Sequence, residues 1–320
     1  MTLTKKTRLT MTDTNTDIIV ALCLGLLLAG CGPTFEPASL VETTRVLGAR
    51  VEVEGAPDRA TPKPGETASV TWLVTSPDAA PPLHWAFAVC APGNVSLSCD
   101  GPALARFEGT EPTPRLSLVV PPQDALGAAR RLVIYGEICP GVDSLPIFDP
   151  QDPLPRCTDG GGTPVSTSVS LQLNDDANHN PTAARDFTFD GQAWPALAAG
   201  DEPCITGPRV QAGSQGHAIG DTLAGSDREP YTALVGTPPI AVPTRESLQI
   251  SQLTTAGKLK SQFSFVEATD VDATTTVDVS WDAPPATEVS DAGLAVTFTF
   301  VTRDNRGGTA WITRAVCVDR

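Results

Sequence analysis

The sequence predicts an all-β chain in which two β-sandwiches follow one another behind an export signal. Three observations carry that expectation. The 320 residues include 30 prolines and 27 glycines, spread without a collagen-like period, as many short strands joined by turns would require. Only 22 residues are Lys or Arg, and a chain rich in Thr and Val disfavours long helices. Apolar residues recur at every second position in both halves, which is how a strand with one buried face reads.

The elements follow in chain order. Lys5, Lys6 and Arg8, an apolar run over 18–28 and the small residues Ala29 and Gly30 are the three parts of an export signal. Eleven residues of helix rise about 16 Å against roughly 30 Å of hydrocarbon, so the run is too short to span a bilayer. The formal charge is −15; three basic and two acidic residues in the first thirty leave the remainder at −16, which argues against nucleic acid and anionic lipid as partners.

Leu28-Ala29-Gly30-Cys31 resembles the lipobox of bacterial lipoproteins. The resemblance implies that residues 1–30 are a signal peptide, that Cys31 carries acyl chains such as palmitate, and that residues 31–40 are the lipidated cysteine and a flexible tether. It also implies attachment to the outer membrane, because Gly32 stands where an Asp would favour the inner one. Several acyl chains together would supply a stable anchor.

Cys23 falls in the signal and Cys31 takes the lipid, leaving Cys90, Cys99, Cys139, Cys157, Cys204 and Cys317. An even number in an exported chain reads as three disulfides. Fifteen pairings are open to six cysteines; the one expected here is Cys90 with Cys99, Cys139 with Cys157 and Cys204 with Cys317. The last would close a loop of more than a hundred residues, worth about 4–5 kcal/mol of unfolded-state entropy. There is no Cys-x-x-Cys and only His84, His179 and His217 as histidines, so zinc is not expected.

Val70, Trp72 and Val74, then Trp85, Phe87 and Val89, then Val169, Leu171 and Leu173 mark strands in the first half. Phe263 and Phe265, Val277, Val279 and Trp281, and Leu294, Val296, Phe298 and Phe300 mark the second. The stretches 124–131 and 228–236 have a helical texture but are too short to stand alone and read as loop turns.

"ATPKPGETASVTWLVTSPD" (60–78) resembles the opening of bacterial Ig-like domains, and "VTFTFVTRDNRGGTAWITRAVCV" (296–318) is similar to the end of Ig-like domains of the PKD or cadherin-like sort. The resemblance implies Ig-like sandwiches over 41–175 and 184–320, joined by a linker at 176–183. The layout is similar to uncharacterised predicted lipoproteins with tandem Ig-like modules, which supply a fold and no activity.

Asp176-x-Asn178-x-Asn180-Pro181 is similar to a cadherin linker, with His179 where that family has Asp, and "EATDVDA" (267–273) resembles the cadherin segment that faces it. The resemblance implies calcium held by Asp175, Asp176, Asn178, Asn180, Asp270 and Asp272, since hard cations take six to eight oxygen ligands. The other reading is a hinge whose side chains cap turns.

No catalytic residue is assigned. Ser214, His217 and Asp221 lie close in "AGSQGHAIGD" (212–221), but the Gly-x-Ser-x-Gly elbow is missing, and the stretch reads as a turn entering a strand. "DGGGT" (159–163) lacks the Lys of a phosphate loop. Trp72, Trp85, Trp281 and Trp311 are expected in cores; Trp194, in a loop, is the candidate surface contact for a ligand. The sequence therefore leads to a non-enzymatic envelope module that binds protein or glycan, with a calcium-stiffened adhesion module and an envelope hydrolase as alternatives.

Overall fold

Each run rich in Val, Thr and aromatic residues pairs laterally into a sheet, because alternation creates an apolar face that another layer must cover. The computed structural model describes residues 37–77, 81–92, 99, 102–149, 154–160, 162–173, 177–183, 185–197 and 201–320, and among them the chain is all-β. Cys31, Asp175 and Asp176 lie outside the described residues.

The first nine strands are β1 (Arg45–Val53), β2 (Thr67–Thr75), β3 (Leu83–Cys90), β4 (Ala105–Gly109), β5 (Arg115–Val119), β6 (Arg131–Pro140), β7 (Pro146–Phe148), β8 (Pro155–Cys157) and β9 (Val165–Gln172). Two sheets, β1-β2-β5 and β4-β3-β6-β9, face each other. Trp72 on β2 stacks on Phe87 of β3 across the layers, ring centroids 3.9 Å apart, and Val70, Leu132, Ile134 and Leu171 complete the core. The expected loop turn at 124–131 contains most of α1 (Gln123–Leu126), a single helical turn.

The remaining strands are β10 (Asp186–Phe189), β11 (Gln192–Ala193), β12 (Arg209–Gln211), β13 (His217–Ala224), β14 (Pro230–Val235), β15 (Ile240–Arg245) and β16 (Leu248–Thr254). They continue as β17 (Lys258–Leu259), β18 (Phe263–Val266), β19 (Thr274–Asp282), β20 (Leu294–Asp304) and β21 (Thr309–Asp319). Sheets β11-β10-β13-β19-β17 and β12-β21-β20-β16-β18 enclose a second core. Its centre is aromatic, with Phe187 against Phe300 at 4.7 Å and Trp281 against Phe298 at 5.1 Å.

Three expectations are corrected here. Trp194 is no surface contact: it is 2 % exposed, lies edge-on to Phe189 and Phe298, and donates its indole N–H to the Ala315 carbonyl at 3.0 Å. The hairpin β10–β11 folds it over the core, where the indole N–H finds the partner that burial demands. Trp311, by contrast, is only half-buried on the outer side of β21. The stretch 228–236 is no loop turn but carries β14, paired along its length with β15. Cross-strand pairing outweighs a helical texture that Pro230 at its start already weakens.

Three disulfides join Cys90 to Cys99, Cys139 to Cys157 and Cys204 to Cys317. The third fastens α2 (Pro203–Thr206) to β21, alongside the parallel pairing of β12 with the same strand.

The two cores meet at a small apolar seam. Pairing between β1 and β2 slips by one residue between Val46 and Gly48, which leaves Leu47 opposite nothing. Such a bulge re-aims a side chain, and Leu47 packs with Val41, Leu253 and Val301, the last two on β16 and β20 of the second sandwich. Gly48 lets the strands approach, since a Cβ there would sit 3.2 Å from Val301 Cγ1. Arg303 of β20 donates to the Leu47 carbonyl. The end of the expected tether is likewise docked: Leu40 bridges Thr254 in parallel, with Val41 N–H donating to Thr254 O at 2.8 Å and Thr254 N–H to Ser39 O at 2.9 Å. Residues 38–320 thus form one compact unit.

Leu47→Ala removes the seam's central side chain and is expected to cost about 2–3 kcal/mol. Urea unfolding checks this: both sandwiches should lose stability together, and an unchanged midpoint would remove the seam from the account.

Candidate functional site

The chemistry-bearing residues gather in two places, the junction between the sandwiches and a turn at one end of the second. The junction is built by the segment 177–183, which leaves the first sandwich after β9. Asn180 is its centre. Its backbone N–H donates to Asp58 O at 2.6 Å and its side-chain amide to Val51 O at 2.7 Å, both on the first sandwich. Its side-chain oxygen accepts the Thr309 N–H at 2.9 Å from the start of β21. One carboxamide thus uses its donor on one sandwich and its acceptor on the other.

Asn178 acts in parallel and is fully buried. Its carbonyl accepts the Ala60 N–H at 2.7 Å, its N–H donates to Thr61 Oγ1, and its side-chain amide donates to Asp304 Oδ2 at 3.3 Å. Asp304 in turn accepts the Arg306 and Gly308 N–H groups at 2.7 and 2.8 Å, which shapes the tight connection from β20 to β21. A Cβ at Gly308 would fall 2.1 Å from that carboxylate and 2.8 Å from His179 O. The expected hinge is therefore tied to both sandwiches among the described residues by Asn178 and Asn180, with the buried Asn178 side-chain oxygen alone in this pair lacking a hydrogen bond.

Acid groups are concentrated beside it. Glu246 is buried and accepts from Arg306 at 3.1 Å and from the Glu229 N–H at 3.0 Å. Burial pushes its carboxyl up to about 7 despite these partners, and Asp304 and Glu229 add to the rise. Burial also raises Asp304. Glu229 holds His179 through the ring Nδ1 and the backbone N–H. Thr61, Tyr231, Asn305 and Arg306 line a groove of about 570 Å³ over this cluster.

The calcium residues are dispersed in use. Asp270 and Asp272 belong to a loop whose carbonyls surround a guanidinium: Arg228, 1 % exposed, donates to Glu267 O, Asp270 O and Asp272 O. Asp270 also accepts from Asp272 N–H and Thr275 Oγ1, and these hydrogen bonds hold its carboxyl below the usual range. A built-in cation occupies the centre of this loop, and Asn178 and Asn180 serve the junction instead. Among the described residues no group of three or more His, Cys, Asp or Glu is arranged to hold a metal ion.

At the end of the second sandwich a hydrogen-bonded chain joins Ser214, His217 and Asp190. Ser214 Oγ lies 2.7 Å from His217 Nε2, and His217 Nδ1 lies 2.7 Å from Asp190 Oδ2. The Ser214 hydroxyl has one proton, which it donates to the Gln211 carbonyl, so His217 Nε2 competes with that carbonyl for it. The third member is not Asp221, which the sequence places nearby. Asp221 is buried 3.2 Å from Arg185, and its burial pushes it up to about 6 against the pull of Arg185 and Arg314. Asp190-Gly191 is a legible turn signal between alternating residues, but only the pairing of Phe189 with Ile219 brings that turn beside His217.

Acyl transfer needs amides aimed at a developing oxyanion. Here the Gly213 N–H donates to Pro284 O, the Ser214 N–H to Gln211 O and the Gly216 N–H to Asp282 Oδ1. His217 is stacked on Phe189 with ring centroids 5.4 Å apart. The arrangement orients a hydroxyl, while these amides already serve the turn.

No protein-family model matches the chain, and no curated protein matches it. Among solved structures, that of red sea bream transglutaminase is similar over 86 % of this chain and 31 % of that one, with a TM-score of 0.24 and 9 % identity. The chain spans less than a third of that protein's length, and a likeness of that size carries neither fold nor activity across.

Two outcomes are expected. Asn180→Asp turns the donor facing Val51 O and Asp58 O into an acceptor and should lower stability by about 2 kcal/mol, read by chemical denaturation. Glu246 binds its proton more tightly folded, at about 7, than unfolded, near 4.5. Its contribution is then full below 4.5 and lost as pH rises through 7. In Glu246→Gln the fall in Tm across that window should flatten; an unchanged slope would contradict the assignment.

Proposed function

We propose that this chain is a non-enzymatic cell-envelope lipoprotein, held at the outer membrane through Cys31, whose two Ig-like sandwiches present a rigid surface to a protein or glycan ligand. The observation that carries the reading is the cysteine chemistry: all six cysteines after Cys31 are bonded in three pairs, a state that belongs to an oxidising compartment. The fixed junction supports a structural or recognition role, since a spliced pair of sandwiches holds a binding surface without an ordering cost at each encounter. Feeding cells an alkyne fatty acid should label the full chain and leave Cys31→Ala unlabelled; a label that persists in the variant would sink the anchor.

A second reading, an envelope hydrolase, has the Ser214–His217–Asp190 chain in its favour. A fluorophosphonate probe separates the two. The non-enzymatic reading expects no adduct, whereas an adduct at Ser214 that disappears in His217→Ala would replace it with the hydrolase.

A further inference from the structure

The crossover from β13 to β16 grows into the hairpin β14–β15, a two-stranded sheet that no other strand joins among the described residues. From Tyr231 to Thr244 it contains no charged residue, in a chain of net charge −15. Directly opposed residues share a side of the ladder. Val235 and Ile240 therefore make one apolar face at the tip, and Leu234 with Ala241 the other. Leu234 is 74 % and Ile240 64 % exposed. Tyr231 to Leu234 also line the groove over the junction, but at the tip both sides of the ladder are apolar and exposed, which suits a medium that reaches around the end of the hairpin.

We propose that the tip of β14–β15 inserts into the acyl region of a phospholipid bilayer. The backbone is adapted to that medium: Pro238 and Pro239 at the turn and Pro243 in β15 carry no N–H to leave unpaired in hydrocarbon. The reach is sufficient, because six-residue strands extend about 20 Å against roughly 6 Å of headgroups in one leaflet. The base matches the headgroup level. Tyr231 lies there, its hydroxyl accepting from the Asn305 side-chain amide at 3.0 Å, and Arg245 ends β15. Aromatic rings and long cations of this kind belong at the interface.

A second exposed apolar residue lies in the loop next to the base of the hairpin. Val271, 81 % exposed, tips the loop that wraps Arg228, two residues before the hairpin begins. The net negative charge removes electrostatic attraction to anionic lipid, so the surface addressed is zwitterionic and the contact apolar. The proposal does not require Cys31 to be acylated.

The test uses the full chain on phosphatidylcholine vesicles whose acyl chains carry bromine. Tryptophan is introduced by Val235→Trp at the tip and, as a control, by Val119→Trp on the exposed side of β5. Both variants share the same N-terminal segment, so any attachment through it is equal. The tip tryptophan should be quenched at least roughly twofold more than the control, and adding Leu234→Asp and Ile240→Asp should abolish the excess while Tm is kept. Equal quenching overturns the proposal. So does a blue shift that grows with protein concentration without bromine quenching, which would assign the hairpin to a second copy of the chain.

Discussion

The carboxamide of Asn180 is the contact on which the arrangement of this molecule depends. A peptide joining two sandwiches has few ways to fix their relation, since it lacks a core of its own. An amide side chain offers a donor and an acceptor set apart by one carbon, and here they face carbonyls at the end of β1 and an N–H at the start of β21. Asn178 adds a second tie at greater depth, with its backbone on the first sandwich and its side-chain N–H on Asp304 of the second. A calcium ion performs a comparable task through carboxylates and couples rigidity to its concentration. The two asparagines tie the sandwiches through hydrogen bonds of the chain itself.

Much of the fold was legible from the chain. Val70, Trp72 and Val74, or Val296, Phe298 and Phe300, advertise their strands by period alone. Trp194 was misjudged because a loop position says nothing of where a hairpin folds, and β14 because its residues alone do not reveal that 240–245 lies beside them. The candidate site was harder still. Asp190 and His217 are 27 residues apart and become neighbours through the register of β10 on β13, which no local pattern encodes. Arg228 could not be read as the occupant of the 267–272 loop, because the sequence shows the loop's acids but not which cation fills it.

Buried charge is unevenly placed. The first sandwich closes on stacked rings and aliphatics, while the second holds Arg185, Asp221 and Arg314 beside its aromatic core and Glu246 with Asp304 near the junction. Burial raises the acids in both groups. A buried ion pair adds little net stability; Arg185 pairs with Asp221 of β13, and Glu246 and Asp304 lie by the junction. The first sandwich is stapled instead by Cys90–Cys99 and Cys139–Cys157 at its edges.

The pairing of Leu40 with Thr254 has a mechanical consequence. The chain enters beside β16 before it builds the first sandwich, and its last strand, β21, lies two strands away in the same sheet. Tension applied between Ala38 and Arg320 therefore first meets the two hydrogen bonds that join the entering segment to Thr254. The strands of the first sandwich are loaded along the chain only once that pairing parts.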